Sequence, residues 1–269
     1  MRIKKSIIML LIVALILIAC LSFNYFNNLK KMYLIESKNG LAADYIKHHI
    51  NPNMTIISHR GASGEVVEHT FEAYDKAINE GNNLIEQDVQ TSKDGTLWVS
   101  HDESSERITG VKKNYSDMND NEISKLHTEN GENIHTLEEV LERYGIDNNI
   151  IFVIELKNGS SQVDNFLSLL RKYDVVNRTI VQSFEYEGIE SAIKKQPDLV
   201  SMFLAENISN IEKHLPQNTI DIICFDKTLL SKGTVRKIKY NGKLPYLYTL
   251  DTDDEFNKAK EYGGGWIFY

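Results

Sequence analysis

Residues 58–102 read SHRGASGEVVEHTFEAYDKAINEGNNLIEQDVQTSKDGTLWVSHD, and this stretch decides how the rest of the chain is read. Three short apolar runs, 55–58, 84–90 and 97–100, carry or end in ionisable residues: His59 and Arg60, Glu86 and Asp88, His101 and Asp102. Charged groups at the ends of buried strands cost desolvation free energy unless they are paired, metal-bound or in use. Between the first two runs lies an amphipathic segment. Phe71, Tyr74, Ala77 and Ile78 share one helical face, Thr70 is suited to N-cap it and Gly81 to stop it. A strand, a helix and a second strand in this order predict a parallel pair with a helical crossover. The link 91–96 is too short for such a crossover, so run 97–100 folds back antiparallel as a hairpin arm.

The same alternation continues outward from this stretch. Further strands are predicted at 151–156, 179–182, 200–204, 220–225, 245–249 and 265–269. Helical faces lie between most of them: Val163, Phe166, Leu167 and Leu170; Ile189, Ala192 and Ile193; Leu230, Val235 and Ile238; Phe256, Ala259 and Tyr262. With the arm set aside, eight strands of the nine remain. That number predicts an α/β fold of the (β/α)8 TIM-barrel type with a β-hairpin arm, residues 102–149 lying over the face where the strands end. An open doubly wound sheet is the rival, weakened by the lack of a G-x-G-x-x-G turn after the first strand.

In such a barrel the chemistry sits at the strand ends. That rule gathers His59, Arg60, Glu86, Asp88, His101, Asp102, Glu155 and Lys157. Glu86 and Asp88 are two residues apart and share a strand face, as do Glu155 and Lys157. An acidic pair facing the interior with a third carboxylate from the next strand suits one hard divalent cation, Mg²⁺, Ca²⁺ or Mn²⁺.

Composition narrows the class further. The 269 residues, 42% of them hydrophobic, fit one sizeable domain. A net charge of -8 argues against a nucleic-acid partner, which requires a cationic face. Cys20 and Cys224 are the two cysteines, both in apolar runs, so no disulfide framework is implied. Arg2, Lys4 and Lys5 precede an uncharged run from residue 6 to 23, just long enough to span a bilayer with its N-terminus in the cytoplasm. Residues 1–26 are therefore expected to be one N-terminal transmembrane helix, 27–53 a stalk with a short helix near its end, and 54–269 the barrel, extracytoplasmic at the cell membrane. The sequence Leu17-Ile18-Ala19-Cys20 also resembles a lipoprotein cleavage site, with Cys20 lipidated. Apolar residues continuing past Cys20 favour the uncleaved anchor.

His59-Arg60-Gly61, Glu68-x-Thr70, Glu86-x-Asp88, Lys93-Asp94-Gly95, His101-Asp102, Arg107-x-Thr109 and Glu155-Leu156-Lys157 follow one another in an order that resembles the glycerophosphodiester phosphodiesterase family. Ser183-Phe184, Tyr248-Thr249 and the run 265–269 fit the same pattern. The resemblance spans residue 55 to the C-terminus. It implies a metal-dependent phosphodiesterase on a TIM barrel, with His59 and His101 as general acid and base. Glu86, Asp88 and Glu155 would be the ligands of one divalent cation, and Arg60, Lys157 and Glu68 the phosphate and substrate contacts. The implied reaction is hydrolysis of glycerophosphodiesters to glycerol 3-phosphate and an alcohol, at the outer face of the membrane.

The chain departs from that pattern at two places: Val67-Glu68-His69-Thr70 stands for Pro-Glu-Asn-Thr, and His135 stands for a proline before Thr136-Leu137. His69, His127, His135 and His214 are read as surface or capping residues, Asp102 as orienting its neighbours, and Arg107 and Thr109 as structural. Two other functions fit the same residues. One is a lysophospholipase D or sphingomyelinase D-like lipid phosphodiesterase, and the other a non-catalytic surface scaffold.

Overall fold

Alternation along the strands divides the molecule into an inside and an outside. The computed structural model describes residues 16–20, 35–48 and 56–262. Seven strands form one sheet: β1 (Leu84–Thr91), β2 (Leu97–Val99), β3 (Ile151–Leu156), β4 (Thr179–Ser183), β5 (Val200–Ala205), β6 (Ile222–Asp226) and β7 (Leu244–Tyr248). Their order is β2-β1-β3-β4-β5-β6-β7, parallel throughout except for β2, which pairs antiparallel with β1 as the predicted arm. Ser58 makes a parallel bridge to Ile85, so the run before His59 lies beside β1. The expected closing strand 265–269 falls outside the described residues.

Eight helices of seven residues or more are described: α1 (Leu41–His48), α2 (Phe71–Asn79), α3 (Leu137–Tyr144), α4 (Val163–Lys172), α5 (Tyr186–Lys195), α6 (Ile208–His214), α7 (Lys232–Tyr240) and α8 (Asp253–Tyr262). One set of alternate strand residues, among them Ile85, Phe152, Ile154, Val181, Phe203, Ile223 and Leu247, packs outward against α2–α8. The other set, including Leu84, Val153, Ile180, Met202, Ile222 and Cys224, faces inward as a second core. Both faces of the parallel strands are thus apolar, as expected for a sheet covered on two sides. Thr70 caps α2 by accepting a hydrogen bond from the Ala73 N–H (3.1 Å), and Gly81, at φ 91°, takes the chain out of it.

Residues 35–48, within the segment 27–53 read as a stalk, pack into the inward core of the sheet. Ile35, Ala42, Ala43 and Ile46 are buried in the inward core, where they meet Leu84, Ile151 and Val200 at the starts of their strands. Lys38 fixes the approach: its Nζ donates to Asp221 Oδ2 at 2.6 Å, a carboxylate that also accepts from the Ser201 N–H and hydroxyl. Gly40, at φ 115°, lies so close to Asn177 that a Cβ there would stand 2.8 Å from its atoms. The short, polar look of this segment conceals a plug: its few apolar residues fill the open end of a barrel whose inward strand residues are apolar there.

Trp98 of β2 and Tyr115, Met118, Ile123 and Ile134 between β2 and β3 form a small satellite core. Trp98 donates its indole N–H to Asp120 Oδ1 (3.0 Å) and faces this cluster. Among the described residues no helix is long and apolar enough to cross a membrane. The expected span at 1–26 lies outside them except for 16–20, which are helical.

Candidate active site

Strand register builds the site. Parallel pairing sets Asp88 beside Glu155 and Glu155 beside Gln182, one row of inward side chains at the C-terminal ends of β1, β3 and β4. Glu86 sits one inward position deeper on β1 and is tied to the row, its Oε1 accepting from Gln182 Nε2 at 3.0 Å. All four residues are buried. Three buried carboxylates in contact repel one another, and the ionisation equilibria record it. Burial, then the Asp88 and Glu155 charges, push Glu86 well above the usual carboxylate range. Burial and the Asp88 charge raise Glu155 to about 8. Asp88 goes the other way: against the upward push of burial, the His69 hydrogen bond and the Lys157 charge hold it well below its ordinary value.

Cations enclose this row. Lys157 Nζ is 3.0 Å from Glu155 Oε1 and 3.6 Å from Asp88 Oδ1. Arg60 Nε is 3.5 Å from Asp88 Oδ2, and the Arg60 backbone N–H donates to Glu86 Oε2 at 2.9 Å. That backbone bond is possible because Arg60 adopts φ 56°, a left-handed conformation uncommon outside glycine. The glycine that follows has its own reason: Gly61 packs so tightly on α2 that a Cβ would lie 2.7 Å from Ala73.

The histidines occupy three different settings. His59 is driven down to about 3 by burial and the adjacent Arg60 charge, so it is neutral at physiological pH. His101, at the end of the arm, donates from Nδ1 to Asp102 Oδ1 (2.7 Å); burial lowers its pKa while the Asp88 charge and the Asp102 hydrogen bond oppose that fall. Asp102 in turn accepts from Arg107 Nε (2.6 Å), and Arg107 clasps both oxygens of Glu68 at 2.7 and 2.8 Å. Glu68 also accepts from Arg60, at 3.1 and 3.2 Å. Burial would raise Glu68, but the bonds and charges of these partners bring it down to about 2. Its oxygens are therefore engaged in holding two guanidiniums. A line of ion pairs thus runs from Arg60 through Glu68, Arg107 and Asp102 to His101, and Arg107, read from sequence as structural, is its centre.

His69 corrects the sequence reading most. It is 4% exposed, adopts φ 59°, donates from Nε2 to Asp88 Oδ2 at 3.0 Å and meets the Tyr74 hydroxyl through Nδ1 at 2.9 Å. His135 and His214 are also buried, the first stacked on Phe71 with ring centroids 3.7 Å apart, the second packed on Phe203; His127 is exposed as expected. Gln182 was missed altogether. A neutral residue within a β-rich run carries no chemical signal, and only the register that seats it beside Glu155 discloses it.

Three comparisons bear on this site. Residues 59–269 match the model of the "Glycerophosphoryl diester phosphodiesterase family". A glycerophosphodiester phosphodiesterase of Bacillus subtilis is 28% identical over 246 residues, covering 79% of this chain and 82% of that protein. A human lysophospholipase D is 31% identical over 166 residues, 56% of this chain and 52% of that protein. An Oleispira antarctica phosphodiesterase, solved in complex with the product sn-glycerol-3-phosphate, superposes with a TM-score of 0.72 at 23% identity, covering 80% of this chain and 92% of that one.

Proposed function

The chain belongs to the glycerophosphoryl diester phosphodiesterase family, and from that premise we propose that it hydrolyses glycerophosphodiesters to glycerol 3-phosphate and an alcohol with the help of a divalent cation. The observation that carries the reading is convergence. His59 with Arg60, Glu86 with Asp88, His101 with Asp102, and Glu155 with Lys157 come from four separated stretches and act on one another's charge at one end of the barrel.

The donor set fits a hard divalent cation. Glu86, Asp88 and Glu155 are buried, adjacent and mutually repelling, and the Gln182 carbonyl oxygen beside them is buried with no hydrogen-bond partner. When bound, such a cation neutralises charge on the phosphoryl oxygens and lowers the barrier to attack. Arg60 and Lys157 do the same from the protein side, binding and orienting the phosphodiester. His59, neutral at physiological pH, accepts the proton of the attacking hydroxyl, whether from water or from a neighbouring glycerol oxygen. His101 holds its Nδ1 proton on Asp102, which favours the imidazolium, and donates from its other nitrogen to the departing alkoxide. Glu68 and Arg107 keep Arg60 and the His101–Asp102 pair in place.

The remaining features extend this reading. The basic flank and the uncharged run within residues 1–26 suit a single membrane anchor that leaves the catalytic unit outside the cell, and residues 35–48 belong to that unit. A lysophospholipid-directed activity is favoured by one finding, the similarity to the human lysophospholipase D. The experiment is a panel of glycerophosphodiesters and lysophospholipids given to the chelated protein with Mg²⁺, Ca²⁺ or Mn²⁺ added back. Turnover of glycerophosphodiesters only on metal addition is expected. Turnover of lysophospholipids alone replaces the substrate, and no turnover with any cation refutes the catalytic reading.

A further inference from the structure

We infer that His69 is a metal ligand in this chain, so that the cation is held by a mixed nitrogen and oxygen set that favours manganese, cobalt or zinc over magnesium and calcium. The inference rests on the metal-dependent reading above and concerns which atoms hold the ion. Among the described residues, His69, Glu86 and Asp88 form the group whose ligand atoms all lie within 4.8 Å of one another. Two atoms bound to one ion stand no more than twice a bond length apart, about 4–5 Å for these metals, so the trio closes on an ion with little movement. Glu155 leans instead toward Lys157, at 3.0 Å.

The setting of His69 is that of a ligand rather than a packing residue. Its ring is buried, Nε2 points at the Asp88 carboxylate, and Nδ1 is backed by the buried Tyr74 hydroxyl at 2.9 Å. Metal-bound imidazoles characteristically have their second nitrogen held by an oxygen in this way. A hydroxyl suits both tautomers. It donates to Nδ1 while Nε2–H is bonded to Asp88, and it accepts from Nδ1–H once the proton has moved there and the Nε2 lone pair faces the ion. A second, independent observation lies beside Glu86: Gln182, 1% exposed, donates from Nε2 to that carboxylate at 3.0 Å, and its Oε1 has no hydrogen-bond partner. It offers the site a neutral oxygen. An imidazole ligand raises affinity for first-row transition ions, zinc and cobalt more than manganese, relative to magnesium and calcium, which all-oxygen sites suit.

The test uses the full chain in detergent, stripped of metal and titrated with Mn²⁺, with electron spin-echo modulation read on wild-type and His69→Asn proteins. Asparagine tolerates the left-handed backbone that His69 adopts, and thermal melting checks that the variant is folded. Wild type is expected to show modulation from an imidazole nitrogen that the variant lacks, and Mn²⁺ affinity relative to Ca²⁺ is expected to fall at least about tenfold. Mn²⁺ bound without nitrogen modulation, or modulation that survives in the variant, overturns the inference while leaving the metal reading standing. Failure of wild type to bind Mn²⁺, Mg²⁺ or Ca²⁺ overturns both.

Discussion

Replacing Asp102 by Asn tests whether His101 supplies the proton. The substitution keeps the shape of the side chain and a hydrogen-bond acceptor at the His101 Nδ1 but removes the negative charge 2.7 Å away. Two unit charges about 4 Å apart attract by about 4 kcal/mol at an effective dielectric of 20 and about 1 kcal/mol in water. The pair is about one-third exposed, 36% for His101 and 34% for Asp102, and Arg107 already neutralises part of the carboxylate. The lower part of that range therefore applies, about 1–1.5 kcal/mol, or roughly one pH unit in the His101 equilibrium. The sign is fixed. Asp102 stabilises the imidazolium, so its loss lowers the pKa of the acid and shifts the alkaline limb of the rate profile toward acid by about one unit. At neutral pH, on the falling side of that limb, turnover drops about tenfold. A pH–rate profile of the variant measures the displacement directly. An alkaline limb that stays in place, or moves upward, refutes His101 as the proton donor.

Replacing His59 or His101 by Gln is expected to reduce turnover at least about 100-fold with the thermal transition unchanged, since each removes a proton-transfer group; a variant near the wild-type rate removes that residue from the mechanism. Ile46, 1% exposed in α1, is expected to destabilise the protein by about 2–4 kcal/mol when changed to Ala, measured by denaturant unfolding. A loss within about 0.5 kcal/mol, typical of surface sites, would return this segment to the role of a stalk. Lys38→Met strands the Asp221 carboxylate, which is 2% exposed, and is expected to cost about 3 kcal/mol in the same assay; an unchanged midpoint counts against the ion pair as a fastener of the plug.

Much of the frame was legible because burial on both faces writes itself into strand composition. Runs such as 151–156 and 200–204 have no other use for so many β-branched and aromatic residues, and the short link after β1 can only turn back. The carboxylates were legible for the opposite reason, being out of place in such runs. What stayed hidden depended on neighbours distant in sequence. His69 carries the same symbol as the exposed His127, and its burial follows from a left-handed turn whose N–H bonds to the Arg60 carbonyl. Gln182 is identified by its place in a row. Residues 35–48 look like solvated connector until the barrel end they fill is known. Arg107 was set aside because its two partners, Glu68 and Asp102, lie on different elements and come together only in the folded chain.

The plug at the start of the barrel has an architectural consequence. Because residues 35–48 enter at the ends where the strands begin, whatever lies upstream is attached on the side opposite the opening that holds the histidines and carboxylates. Substrate and products pass through the end of the barrel that holds the histidines and carboxylates, the other end being filled by the chain itself.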